Sequence, residues 1–168
     1  MRNRRFLVVP LVLLGFVLMF ALAATVAAVP PDKEPTEPLE PFVISGACAF
    51  DVLVDAVFDR GMFKAFYDQE DHVRRFAITG ALRVRLTNLS SGESIDLNVS
   101  GPAFVEPQPD GTTLVAGPGP WLHFFIEDLP ALALVRGRTE FLIDQEGNWE
   151  LLSVAGNVQD VCQMLADS

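Results

Sequence analysis

The chain has 168 residues, a formal net charge of −10, half of its residues apolar, and only two cysteines. This length and apolar content fit one folded domain with a real core. The acidic balance argues against nucleic acid and anionic lipid headgroups as partners, and two cysteines with no histidine near either argue against a zinc module.

Arg2, Arg4 and Arg5 precede an uncharged, mostly apolar run from Phe6 to Val29. A positive start, an apolar stretch and small residues at the −3 and −1 positions of Val26-Ala27-Ala28 predict a signal peptide over residues 1–28. An uncleaved signal anchor competes with that reading, because the run is long enough to span a bilayer and membrane helices tolerate Pro10 and Gly15. Either way the positive end stays in the cytoplasm. The expected location is secreted, or membrane-anchored with the domain outside. Ser45-Gly46-Ala47-Cys48 has the small residues of a lipobox but not the large aliphatic at −3, and it lies far beyond the apolar run. Without the three arginines, 9 basic residues face 22 acidic ones, a net charge of −13.

Residues 29–41 form a linker in which Pro30, Pro31, Pro35, Pro38 and Pro41 alternate with Asp32, Glu34, Glu37 and Glu40. Prolines remove backbone donors and the acids repel one another, so a solvated, semi-stiff spacer outside the core is expected.

Residues 42–168 read as a single β domain. Phe50, Val52 and Val54 alternate with polar or outward positions, as do Leu82, Val84 and Leu86, and Ile95, Leu97 and Val99. Period two of this kind marks half-buried strands. The turn Asn88–Glu93 joins the last two runs into a hairpin. Pairing Asn88 with Glu93 sets Arg85 opposite Asp96. A second hairpin turns at Gln145-Glu146-Gly147, pairs Ile143 with Trp149, and sets Phe141 and Leu151 on one inner face. Further extended stretches are Gly61–Tyr67, Val73–Gly80, Thr112–Ala116, Trp121–Ile126 and Ala131–Arg136. Only Val158–Leu165 suggests a helix. The fold class is all-β: an antiparallel β-sandwich or a small β-barrel of about 8–10 strands with a short C-terminal helix. Cys48 and Cys162, near the two ends of the domain in an oxidising compartment, are expected to form a disulfide.

The sequence offers few parts for chemistry. No nucleophile elbow, zincin motif, phosphate loop or dinucleotide fingerprint is present, so no catalytic residue, metal ligand or cofactor is assigned. His72 sits in the polar turn Gln69-Glu70-Asp71-His72 and reads as a surface residue. His123, in Trp121-Leu122-His123-Phe124-Phe125-Ile126, shares a face with Trp121 and Phe125. Trp121, His123 and Phe125 are therefore the candidate ligand-binding residues, with a hydrogen-bonded core histidine as the competing reading. Phe63, Phe66 and Tyr67 form a candidate aromatic patch. Asn88-Leu89-Ser90 and Asn98-Val99-Ser100 match the glycosylation sequon.

Gly46-Ala47-Cys48-Ala49-Phe50, Val84–Asn88, Asn98-Val99-Ser100-Gly101-Pro102, Gly119-Pro120-Trp121-Leu122 and Asp160-Val161-Cys162-Gln163-Met164-Leu165 together carry a resemblance. Over residues 46–165 the chain resembles uncharacterised secreted actinobacterial proteins with one cysteine near each end of a β domain. That resemblance implies compartment and fold, lends no site residues, and would make the sequons irrelevant.

The leading expectation is a secreted, non-enzymatic binding or interaction module. Its partner would be a small apolar ligand, an extracellular protein or a glycan. The alternatives are a small β-barrel enzyme with a cavity site around His123, and a membrane-tethered structural protein of the cell envelope. In these readings the membrane is touched only through an uncleaved N-terminal segment.

Overall fold

The computed structural model describes residues 30–167, so the expected export segment Phe6–Val29 and its expected cleavage site lie outside the described residues. The strands are β1 (Asp32–Pro35), β2 (Phe42–Ile44), β3 (Val52–Tyr67), β4 (Val73–Asn88), β5 (Ser94–Asn98), β6 (Ala103–Pro107), β7 (Thr113–Pro118), β8 (Trp121–Phe124), β9 (Leu132–Ile143) and β10 (Trp149–Asp160). One helix, α1 (Val161–Ala166), follows. All strand pairs are antiparallel, as the alternating patterns require.

The main sheet runs β1-β3-β4-β6-β7-β9-β10 and does not close. A barrel, the alternative left open by the sequence, is therefore replaced by an open, sandwich-like arrangement. β3, β4, β9 and β10 are long because each continues through two regions. Their inner ends carry extra strands: β2 beside β3, β5 beside β4, and β8 beside β9. There the two walls face each other around Val52, Val54, Val84, Leu86, Leu132 and Leu134, with Val161 and Leu165 of α1 joining the same core. Each of these residues is at most 1% exposed. Removing that much apolar surface from water is the main stabilising term of the fold.

Where each long hairpin passes from sandwich to open sheet, two glycines stand opposite each other: Gly61 with Gly80, and Gly137 with Gly156. Gly80 and Gly156 have φ of +135° and +136°. A Cβ at Gly80 would strike the Arg60 carbonyl and one at Gly156 the Arg136 carbonyl. Glycine is thus required for both close approach and backbone conformation. These pairs explain why runs that look separate in sequence, such as Ala131–Arg136 and Phe141–Ile143, are one strand.

The predicted hairpin registers hold. Asn88 N–H donates to Glu93 O at 2.9 Å. Arg85 pairs with Asp96 through two hydrogen bonds of 2.7 and 2.9 Å. Ile143 opposes Trp149 and Phe141 opposes Leu151. The Cys48–Cys162 disulfide is formed, with Cα atoms 5.4 Å apart. The helix starts later than the pattern suggested, because Val158 and Gln159 pair with Val135 and Leu134. Asp160 then caps α1 by accepting from Cys162 N and Gln163 N.

The acidic proline segment departs from the expected spacer. Asp32–Pro35 is exposed, as a segment outside the core should be, but it is an edge strand on β3. Thr36 N donates to Gly61 O at 3.1 Å, and Leu39 N donates to the Asp59 carboxylate at 3.0 Å. An edge strand leaves one side of its backbone unpaired, so prolines there cost no ladder bonds. Composition alone therefore does not separate such a strand from a stalk.

Candidate functional site

β8 is short and pairs only with β9, setting Trp121 against Val135 and His123 against Ala133. Alternation puts these two rings on the same face, 5.7 Å apart between centroids. Phe141 of β9 has the same parity as Ala133 and Val135, and its ring lies 5.1 Å from His123. Phe141 in turn stacks edge-on with Trp149 of β10 at 5.7 Å. The result is a row of four rings, Trp121, His123, Phe141 and Trp149. It begins half-buried, passes through the 1%-exposed Phe141 and ends on Trp149, which is 54% exposed. Edge-to-face contacts of this kind are favourable and fix ring orientation.

Small residues let Trp121 lie flat on the sheet. A Cβ at Gly117 would come within 2.7 Å of its ring, and one at Gly101 would strike its pyrrole edge. Burial pushes His123 down to about 4, with no charged group contributing, so its imidazole is neutral at pH 7. Its Nε2 is enclosed and without a hydrogen-bond partner among the described residues, as is the hydroxyl of Thr139. The acid/base reading required a carboxylate beside His123, and no hydrogen bond or ion pair of the described residues supplies one.

Of the three predicted ligand-binding residues, the structure brings Trp121 and His123 together and leaves Phe125 apart. β8 ends at Phe124, and Phe125 takes φ +57° in the turn that leads to β9. It is 59% exposed and meets Phe124 rather than the row. Phe124 lies 6.3 Å from Phe42 at the edge of the sandwich. Phe141 and Trp149 were not among the predicted residues. The inner-face assignment of the second hairpin was the only available signal, since these residues stand some twenty positions beyond His123.

The other polar candidates have ordinary roles. His72 is exposed, 3.7 Å from both Asp68 and Glu70. The Asp68 carboxyl is held below its usual range, mainly by accepting the backbone N–H of His72 and Glu70. Asn88 is buried and its side chain accepts from Ser90 N and Ser91 N. Asn98 is exposed, accepting from Ser100 N. Phe63 packs on Phe76 at 5.2 Å, and Phe66 lies under the Arg75 guanidinium at 4.8 Å. Tyr67 is pushed up by its hydrogen bond with Asp32. A groove of about 470 Å³ runs beside β1 between Pro35, Thr36, Pro38, Arg60 and Met62. Its one carboxylate, Asp59, is already used by the N–H groups of Leu39 and Gly61. No set of three or more His, Cys, Asp or Glu side chains is placed to hold a metal among the described residues. No helix of the described residues is long and apolar enough to cross a membrane.

No family model, curated protein or solved structure matches the chain.

Proposed function

We propose that the chain is an exported, non-enzymatic binding module that engages an extracellular protein or glycan at an aromatic surface. The observation that carries this reading is the ring row, in which a buried Phe141 supports a Trp149 left largely in solvent. Rigid, supported aromatic rings offer large contact area at low entropic cost, which is why they recur at binding surfaces. An open sheet has no lumen, which favours surface recognition over a ligand enclosed in a barrel. The disulfide fits an oxidising compartment.

Tethering is the second reading, and one observation favours it. The would-be spacer is taken up into the sheet, so only Pro30 and Pro31 separate Val29 from β1. If Phe6–Val29 remains in the bilayer, the domain sits directly on it. The mass of the chain recovered from expressing cells decides between release and tethering: a start near Val29 refutes the tether.

Binding is tested with purified chain on immobilised panels of envelope glycans and secreted proteins. Trp121 and Trp149 are the only tryptophans, so their fluorescence reports engagement of the row. The wild type is expected to retain a partner that Trp149→Ala loses at unchanged melting temperature. Equal retention by the variant, or none by either protein, defeats the aromatic-surface reading.

A further inference from the structure

The chain has only two lysines, and the fold sets them face to face. Lys33 of β1 is the direct cross-strand partner of Lys64 of β3. Like charges directly opposite are destabilising, and neither lysine has an ion pair among the described residues. By register, Phe66 and its partner Arg75 lie on the same face as Lys64. The Arg75 guanidinium rests over Phe66 at 4.8 Å and Phe104 at 5.1 Å. Glu106, the acid beside it, sits 3.8 Å from Arg75. The acids of β1 take the other face, with Asp32 opposite Ala65 and Glu34 opposite Phe63. An acidic chain thus gathers cations and aromatic rings on one side of one sheet edge.

A second observation says what lies next to that edge. β1 begins at Asp32, and the apolar run ends at Val29. Pro30 and Pro31 together reach about 7 Å when extended, less than the Debye length of about 8 Å at physiological salt.

We infer that the sheet face carrying Lys33, Lys64 and Arg75 docks on anionic lipid headgroups of the membrane that holds Phe6–Val29. This rests on the tethered reading above. The net charge of the domain opposes lipid binding in bulk, as the sequence suggested, and Glu106 offsets Arg75 on this face, so its excess positive charge comes from Lys33 and Lys64. The tether makes docking intramolecular, so weak attraction by a few cations suffices. Phe66 and Phe104 flank the cations as apolar contacts for the interface.

The test uses amine acylation read by peptide mapping, because Lys33 and Lys64 give unambiguous signals. The full chain is reconstituted in nanodiscs of pure phosphatidylcholine, or of phosphatidylcholine with phosphatidylglycerol. Docking predicts that both lysines react at least about 3-fold more slowly in the anionic discs, and that about 0.5 M salt removes the protection. Lys64→Glu should restore labelling of Lys33 in anionic discs, while Lys64→Arg should keep it protected. Equal rates in both disc types overturn the inference. Protection by soluble polyglutamate but not by anionic discs would assign the face to an acidic macromolecule and also overturn it. The reconstituted chain is intact, so these outcomes judge the face alone, while the mass of the cell-derived chain judges the tether.

Discussion

At the end where β2–β5 face β8 and β9, side chains from both walls are sealed from water. In the seven-stranded stretch the same long strands leave most side chains half-buried or exposed. Leu86 and Leu134 are 0% exposed in the first region, whereas Ile78 is 43% exposed in the second. Stability is thus concentrated at one end, under α1 and the disulfide. The opposed lysines and the Phe141–Trp149 end of the ring row sit on the open sheet, while Trp121 and His123 reach them from β8 at the sandwich end. The contrast shows how one set of strands can serve two purposes when glycine pairs let each hairpin change surroundings midway.

The disulfide should give the largest effect, since it ties the two ends of the sandwich region. Replacing both Cys48 and Cys162 by serine removes a link spanning 114 residues. In the chain-entropy account this costs about 4–5 kcal/mol, measurable as a lower urea midpoint. Next come the cores. Leu134→Ala should cost about 2–5 kcal/mol, while Ile78→Ala should cost less than about 1 kcal/mol. Similar losses at both sites would erase the contrast. Gly156→Ala strains the junction itself and should cost about 1–3 kcal/mol, with hydrogen exchange accelerated in β9 and β10.

A pH-dependent effect is set by His123. Its folded value is pushed from the ordinary 6.5 down to about 4 by burial. Between those values the unfolded chain binds a proton that the folded chain does not, so stability falls as pH drops through this window. Carboxylates such as Asp96 and Glu140, held low by Arg85 and Arg138, lose their contribution only at more acidic pH. The urea midpoint should therefore decline from pH 7 toward pH 4.5 in the wild type and stay flatter in His123→Leu. An identical decline in both proteins would remove His123 from the account.

Much of this was legible from residues alone, where local chemistry decides. The turns at Asn88–Glu93 and Gln145–Gly147 fix hairpin registers, so Arg85–Asp96 and Ile143–Trp149 could be paired on paper. The compartment expected from the N-terminal run and the position of two cysteines led to the disulfide. Alternation also placed Trp121 beside His123. What escaped depends on distant parts of the chain. Phe141 and Trp149 join His123 only through the pairing of β9 with both β8 and β10, which no local period reveals. Phe125 left the expected face through a positive φ that its side chain does not announce, although Glu127-Asp128-Leu129-Pro130 just beyond it is turn chemistry. The edge strand Asp32–Pro35 escaped because acids and prolines suit an unpaired backbone edge as well as they suit a stalk.

The position of the disulfide has one more consequence. Exposed turns such as Asp110-Gly111 are natural targets for proteases. A single cut there would part the ring residues Phe141 and Trp149 from the half of the chain that carries β1. Because Cys48 and Cys162 enclose every such turn from Asp51 to Val161, the two fragments would stay covalently joined. A nicked molecule would keep its full mass until a reductant separated the halves. If the chain is exported as proposed, a protease could cut between β1 and the ring residues without separating them.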